Sequence, residues 1–592
     1  MMDMRRELQH QSYSSGILSQ WFKRLLPAQI LAAAVPTLGN IINGLLVGNW
    51  LNADALVALG FVMPISAILG ALSSVISGGA RIVCGRFIGR GEKKGMDEAL
   101  TVSVAVLTLL GLVLTVLMLL FAEAVARLFG ADGASVIPTA QYIRGLSFGF
   151  VPSLLTPCLM VFLQMGNRAG NALEAAVILA AVSLAAGLIN VRMGGGVFGM
   201  GIASSVSQTF ALLFVVLCFR KAKDGLMHVR RGYFRRSLCG EICRLGSPTA
   251  LAGLLYAIRN VCINSAALQF GGEEAVASLA ILNSCGGLFD SVNLGVGAVA
   301  LILASVFVGE KDSKALQKLV GITMRVGLVL AFCKVILIAL FGRQIAVFFG
   351  AEGGLISATY KLLVYYSACM PVNIVLVAFV SPLQSLGRIK LSNTLYLFGA
   401  LLIPLGCCYL LGPVMGVEGI WSCYAVADML QILMIGAVAW KQCGHLPRTA
   451  ADWISLQRDM GTGAKYCVSL RSMEDVINVS EELIGFCTDN GIDGRRSRLC
   501  GLCLEEMAGN VITHGFPKGK RNDYTVDIFV CCEAGELFMR LRDNAPPFDP
   551  VSRLGTSADD PCKNIGIRMV SRLSKEMNYQ QFFGMNVVSI RL

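Results

Sequence analysis

Phe129-Gly130-Ala131-Asp132-Gly133 returns 220 residues later as Phe349-Gly350-Ala351-Glu352-Gly353, each copy just past a long apolar run. Loops have little compositional reason to agree, so a match there weighs more than one between apolar helices. Working outward at the same offset, Leu59 matches Leu279, and Gly89 matches Gly309, each glycine followed by a basic and acidic patch. Gln164 to Arg168 (QMGNR) matches Gln384 to Arg388 (QSLGR), and Gly201-Ile202 matches Gly419-Ile420 as the offset drifts to 218. The first three quarters of the chain is therefore one unit written twice.

The unit is membranous in composition. Hydrophobic residues make up 55% of the 592 and charged residues 15%, against about 25% charged in a soluble domain. Thr101–Ala122 and Leu391–Val417 carry no charge, and each exceeds the roughly 20 residues that cross a hydrocarbon core. Hydropathy predicts twelve spans near 25–49, 55–80, 99–121, 138–163, 172–191, 197–219, 245–270, 276–308, 319–341, 360–386, 392–413 and 417–440. With the N-terminus inside, cytosolic loops hold Arg81, Arg86, Arg90, Lys93 and Lys94, then Arg168, then eight basic residues from Arg220 to Arg244, then Lys311, Lys314 and Lys318, then Arg388 and Lys390. Outer loops hold Arg127, Arg192 and Arg343. This bias puts both termini in the cytosol and explains the net charge of +12 without nucleic-acid binding. Six spans per copy make the repeat parallel, with a cleft between the halves. The expected division is a cytosolic segment 1–24, a first bundle 25–220, a basic loop 221–244, a second bundle 245–440, a linker 441–464 and a C-terminal domain 465–592. Residues 1–24 lack a cleavable apolar segment. Most of the 20 cysteines sit singly in apolar runs, where a thiol acts as a small hydrophobe. Cys500 and Cys503 form a C-x-x-C with no second pair beside it, weak grounds for a metal.

Residues 20–445 resemble a MATE (multidrug and toxic compound extrusion) transporter. The resemblance rests on the doubled six-span unit, Asn52–Gly60 (NADALVALG) with its partner Gly271–Ala280 (GGEEAVASLA), Gly89-Arg90-Gly91-Glu92, and Pro36 and Pro248 in spans one and seven. It implies export of small organic, often cationic, compounds through the lipid bilayer, driven by inward flow of protons or sodium ions.

An ionisable group inside a span is costly and so marks a functional candidate. Asp290 in span eight and Asp428 in span twelve are such carboxylates, and Arg259 in span seven is the candidate cation. Asn283, Gly287, Asp290, Asn293 and Gly297 recur at helical spacing, a small and polar face suited to a cavity. Pro36, Asn40 and Asn43 make a similar stripe on span one. Pro36 and Pro248 interrupt the backbone ladder, freeing carbonyls for an ion or for bending. Two readings of Asp290 stay open: a coupling carboxylate, or a structural partner of Arg259. Many MATE transporters carry an acid in span one, and some in spans seven and ten. Here span one has Asn40 and Asn43, and spans seven and ten have no acid, which leaves the coupling ion undecided.

Past Trp440 the pattern turns to mixed α and β. Ser472 and Asp475 read as a capping box opening a helix to about Asn490. A second helix runs from about Arg495 to His514. Asp523–Cys532 and Glu536–Arg542 alternate as a hairpin, and a helix from Asn564 to Glu576 and a strand 586–592 follow. The domain reads as an α/β sandwich. Glu506, Asn510 and His514 fall four apart on one helix face. Asp543-Asn544 then Phe548-Asp549-Pro550 follow a strand, and Asn564-Ile565-Gly566-Ile567 opens a helix whose amides could meet phosphate. In this order the residues resemble the GHKL (Bergerat) ATP-binding fold, in its branch of anti-sigma-factor serine/threonine kinases. That resemblance implies an ATP site with Mg²⁺ held through Asn510, Glu506 as general base toward a protein hydroxyl, Asp543 accepting from the adenine amino group, and Phe548, Gly566 and Ile567 at the nucleotide. It also implies a mobile lid over 549–563 and an anti-anti-sigma-like protein substrate. The glycine boxes are sparse, reading Asp543-Asn544-Ala545-Pro546-Pro547 and a lone Gly566. The whole chain thus reads as a twelve-span all-α membrane protein, a 6+6 parallel repeat, fused to a GHKL domain. Its expected function is a cation-coupled antiporter regulated by a kinase-like domain. The alternative is a membrane receptor that has lost transport and signals through that domain.

Overall fold

Apolar runs without water to satisfy their backbone must be helical, and the computed structural model is helical throughout them. It describes residues 15–50, 53–166, 168–221, 228–454, 463–517, 524–533, 535–551 and 565–592. The side chains of 36, 38–50 and 53–60 fall outside that description, and with them those of Pro36, Asn40 and Asn43 and of the Asn52–Gly60 motif. So do Asn564 and most of the expected lid.

The membrane unit is built from α1 (Ser15–Trp50), α2 (Ala53–Arg90), α3 (Lys93–Leu128), α4 (Val136–Ser147), α5 (Phe150–Met165), α6 (Ala169–Met193) and α7 (Gly196–Lys221) in its first half. The second half has α8 (Arg236–Gly309), α9 (Ser313–Phe348), α10 (Gly354–Ser385), α11 (Ile389–Leu397), α12 (Ile403–Met415) and α13 (Val417–Cys443). Among the described residues nine helices are long and apolar enough to cross a membrane, or ten if the bent pair around Phe148 is one span. Helix α8, with 74 residues, would be about 110 Å long if straight, far beyond one bilayer. Gly272 breaks it (φ 66°, ψ −162°), so it holds expected spans seven and eight. With α1 added, every expected span falls on helix.

The repeat is written in backbone geometry as well as in letters. Gly130 and Gly350 have φ of 96° and 93°, left-handed values that favour glycine. Ala131 N donates to Ala126 O, and Ala351 N to Ala346 O, both at 3.0 Å. Arg168 N and Arg388 N reach back to Leu163 O and Leu383 O in the same way. The halves meet where α2 packs on α8. A Cβ on Gly89 would overlap Val306 O, and one on Gly309 would overlap Arg86 O. Gly89 and Gly309 are repeat mates, as are Arg86 and Val306, so each half presents the same patch to the other, as at a twofold interface. A Cβ on Gly85 would lie 2.6 Å from Ser305 Cβ, again a repeat pair. Arg86 adds a bond to Ser385 O (2.6 Å) and an ion pair with Glu241 (3.4 Å), while Gln384 Nε2 donates to Leu245 O (3.1 Å). This seam lies at the arginine-rich helix ends expected to face the cytosol.

The second unit comprises residues 458–592 with 1–23 and 165–167. Its five-stranded antiparallel sheet has the order β1-β2-β3-β5-β4, from Ala464–Leu470, Val526–Glu533, Glu536–Asp543, Glu576–Phe582 and Met585–Arg591. After the short helix α14 (Ala450–Ile454), α15 (Met473–Asp489), α16 (Gly494–Asn510) and α17 (Ile565–Leu573) follow. One sheet face, with Val468, Ile528, Met539 and Ile590, shares a core with Leu483 and Leu504. The expected helices and hairpin are present, and Ser472 with Asp475 forms the capping box. Strands β1 and β4 were not expected. Helix α17 stops at Leu573 and Glu576 opens a strand. Helix α16 ends at Asn510, and Val511–Gly515 winds as a π turn, which takes exposed His514 off the regular spacing. The other sheet face is also covered: Phe529, Arg540 and Arg542 are each 1% exposed. Ile17, Leu18, Trp21 and Phe22 of α1 are buried in the same unit. The Trp21 ring lies 6.1 Å from Phe582 and from Phe583, with the Arg542 guanidinium 5.5 Å above it.

Candidate functional site

In the second half, α8, α10, α12 and α13 enclose a cavity of about 310 Å³. The two arms of α8 bring Tyr256, Arg259 and Asn260 against Asp290 and Asn293. Helix α10 contributes Tyr366 and Asn373, and α13 contributes Tyr424, Asp428 and Gln431. All three charged residues singled out in the sequence therefore line one space. The Asp290–Arg259 ion pair is not formed. Asp290 instead accepts the Tyr366 hydroxyl. The Arg259 guanidinium stands 4.7 Å from the Tyr256 ring centroid and 5.4 Å from that of Tyr424, within cation–π range. Its buried Nε has no acceptor. Among the described residues neither Arg259 nor Asp428 makes a hydrogen bond or an ion pair within 4.0 Å.

Behind the cavity wall, Lys334 of α9 is 8% exposed and donates to Asn293 Oδ1 (2.7 Å) and Phe289 O (3.2 Å). Asn293 in turn donates to Asn373 (3.3 Å). Above them the span of α11 and α12 passes through a π turn at Phe398–Leu402. Pro404 has no N–H for residue 400 and its ring crowds that carbonyl, which accounts for the widened turn. Gly399 there lies against the Gln431 carboxamide, which donates to Leu395 O (2.9 Å). On the polar face of α8, Gly287 packs on Thr37 of α1, its Cβ position 2.7 Å from a Thr37 methyl. Pro248 lies apart from the cavity, beside Thr249, which touches Gly78 at the inter-half seam.

The C-terminal unit has its own polar cluster. Asp543 ends β3 at 3% exposure. Its Oδ1 accepts from Ala545 N (3.0 Å) and Asn586 Nδ2 (2.8 Å), and no hydrogen bond among the described residues goes to Oδ2. Asn586 is held by the Tyr579 hydroxyl (2.8 Å). Burial pushes the Asp543 carboxyl up to about 6, with the two donors opposing. Glu506 and Asn510 are half-buried on α16. A Cβ on Gly566 would overlap the Glu506 carboxylate, so the α17 backbone lies directly on that acid. Ile567 is 4% exposed and joins the core, while Phe548 is 44% exposed. The domain thus holds a buried acceptor at the end of β3 and, on α16, an acid against a glycine with an amide one turn on.

The sequence model of the MatE family matches residues 28–173 and 248–410. The chain belongs to the MatE family. Residues 471–592 match the histidine kinase-like ATPase domain, so this is a MatE transporter chain with an ATPase-type domain fused to it. The probable multidrug resistance protein YoeA of Bacillus subtilis is 20% identical over 421 residues, 69% of this chain and 90% of that one. The multidrug export protein MepA of Staphylococcus aureus is 23% identical over 408 residues, 66% and 88% of the two chains. Among solved structures, an outward-facing multidrug resistance MATE transporter of the MOP superfamily aligns with TM-score 0.66 at 23% identity, over 72% of this chain and 96% of that one. A Pyrococcus furiosus MOP transporter, described by reversed polarity of its binding pocket, aligns with TM-score 0.65 at 22% identity, over 72% and 96%.

Within this MatE fold the sequence reading missed Lys334, Tyr366 and Tyr424, and in the ATPase-type domain it missed Asn586. Lys334 was findable, because it is an ionisable residue inside an expected span and obeys the rule that selected Asp290. The tyrosines gave no signal, since aromatic residues are ordinary in spans.

Proposed function

We propose that this MatE chain exports small organic compounds across the cell membrane in exchange for protons or sodium ions. We further propose that its C-terminal domain binds ATP with Mg²⁺ and regulates transport as a serine/threonine kinase. The observation that carries the transport reading is the second-half cavity, where Arg259, Asp290 and Asp428 stand without an ion pair between them in apolar helices. Such charges are retained where they serve a pathway. The multidrug names of the YoeA and MepA relatives support the substrate range. Asp290 and Asp428 are the candidate coupling groups, with the span-one stripe Pro36, Asn40 and Asn43 facing the same task. A substrate cation that favours the charged carboxylate displaces a proton or sodium ion, and the coupling is reciprocal.

In the ATPase domain, Asp543 would accept from adenine, and Asn510 would hold the metal. Glu506 would take the proton of a protein hydroxyl as phosphate transfers, with an anti-anti-sigma-like protein as substrate. ATP does not power transport in this reading, since a single site of this fold lacks the paired arrangement of ATP-driven pumps.

Proteoliposomes holding the full chain test both parts. Dye efflux should follow an imposed proton or sodium gradient without ATP, and Asp290→Asn should express normally yet lose the gradient response. No efflux under any ion gradient would instead favour a signalling receptor. Radiolabelled ATP should mark an anti-anti-sigma protein, and Glu506→Ala should bind ATP yet leave that protein unlabelled.

A further inference from the structure

We propose that Arg259 is an anion-recognising group and that the compounds this cavity takes are amphoteric, with an acidic group seated on Arg259 and a basic group facing Asp290 and Asp428. The proposal rests on the exporter reading and names its substrate class.

Arg259 carries five N–H donors in a planar fork that matches a carboxylate or phosphate. A guanidinium held among apolar helices normally spends those donors on acidic or carbonyl partners, because an unpaired buried charge is costly. Here the guanidinium has two aromatic faces, from Tyr256 and Tyr424, and no acceptor among the described residues, and its Nε is buried. The rings fix where it points and supply part of the missing stabilisation. They leave the in-plane donors open.

The same protein shows what a satisfied cation looks like nearby. Lys334 spends its ammonium on Asn293 and Phe289 O and does not line the cavity. Arg259 does line it. Acids of the opposite sign share the space: among the described residues Asp428 has no hydrogen-bond or ion-pair partner and Asp290 has the Tyr366 hydroxyl alone. A purely cationic compound would satisfy the acids but leave Arg259 unpaired and bring a like charge toward it. A purely anionic one would do the reverse. A compound with one group of each sign satisfies both ends of a cavity of about 310 Å³.

The test uses the full chain in lipid nanodiscs and three dyes of one skeleton, read by fluorescence anisotropy. They are a rhodamine with a free carboxylate (zwitterion), its methyl ester (cation only) and fluorescein (anion only). The free-carboxylate dye should bind about ten- to a hundredfold more tightly than its ester, the range for a charge-assisted bond in a desolvated site. Arg259→Gln should erase the difference between the two rhodamines, and Arg259→Lys, which keeps the charge but loses the fork, should keep part of it. Equal affinities for the two rhodamines in the unmodified protein, tighter binding of fluorescein than of the zwitterion, or an equal loss of both rhodamines in the Gln variant would overturn the proposal. Should the Gln variant fail to fold, the dye comparison in the unmodified protein and in the Lys variant decides. No efflux of either rhodamine under any ion gradient, alongside an intact preference for the zwitterion, would sink the exporter reading and leave the anion site standing.

Discussion

Burial of the Asp543 carboxyl costs stability. A carboxyl raised from 3.8 to about 6 binds its proton more tightly folded than unfolded. The folded state therefore loses stability as pH rises through that interval, by roughly 3 kcal/mol in all. Asp543→Asn removes the buried charge while its carbonyl can still accept from Ala545 and Asn586. At pH 7.5 the C-terminal unit of this variant should melt several degrees higher than the parent in calorimetry, and the gap should close near pH 4. Nucleotide affinity of the unmodified protein should weaken as pH drops below about 6, because the protonated carboxyl becomes a donor where adenine offers one. A variant that melts lower at pH 7.5 would remove the strained-acid account. Gly566 is constrained by a neighbour rather than by its own backbone. Gly566→Ala drives a methyl into the Glu506 carboxylate, and overpacking of this kind costs about 1–3 kcal/mol. Adding Glu506→Ala should restore the lost stability without restoring phosphotransfer, a coupling that a double-mutant cycle measures. Additive losses would mean the two residues do not touch.

At the scale of elements, the N-terminal turns of α1 are a working part of the C-terminal unit. Trp21 lies against Phe582, Phe583 and Arg542, and Gln20 Oε1 accepts from Asn544 Nδ2 (3.1 Å), next to Asp543. Trp21→Ala should destabilise that unit by about 3–5 kcal/mol, as for other large aromatic truncations in cores, and should speed proteolysis after residue 463 in the full chain. Unchanged cleavage would show that the face is covered by something else. This packing was not legible beforehand, because residues 1–24 read as a polar segment with basic ends, and nothing local says that Ile17, Leu18, Trp21 and Phe22 meet a sheet more than 500 residues away. The hairpin, the capping box and the order of helices were legible, since each rests on local periodicity or turn chemistry. Strands β1 and β4 were not, because Ala464–Leu470 and Glu576–Phe582 mix polar and apolar residues without clean alternation and are specified by pairing with β2 and β5. The cavity was half legible: ionisable residues in spans stand out one by one, but their convergence depends on the break at Gly272.

The doubled unit gives the two halves a self-complementary seam, and in the exporter proposed above that seam would serve as a gate. Gly85, Gly89 and Gly309 let α2 and α8 approach backbone to backbone, and the contacts exchange between repeat mates. Two helices in lipid associate through such close packing, since lipid tails offer no hydrophobic gain. A patch that contacts its own repeat image is self-complementary, so a small change in either half unseats both at once. Arg86 of the first half reinforces it with Ser385 and Glu241 of the second. If the chain works as the exporter proposed above, opening at the arginine-rich ends would have to separate these glycines. Gly309→Leu places a side chain where Arg86 O now sits and should forbid the closed state while leaving each half to fold. Pulsed electron paramagnetic resonance between spin labels at the ends of α2 and α8 should then report a longer, broader distance than in the parent. Efflux should fall by at least an order of magnitude with expression retained. A label distance unchanged by Gly309→Leu would mean that the seam is not the gate, and that the halves move elsewhere.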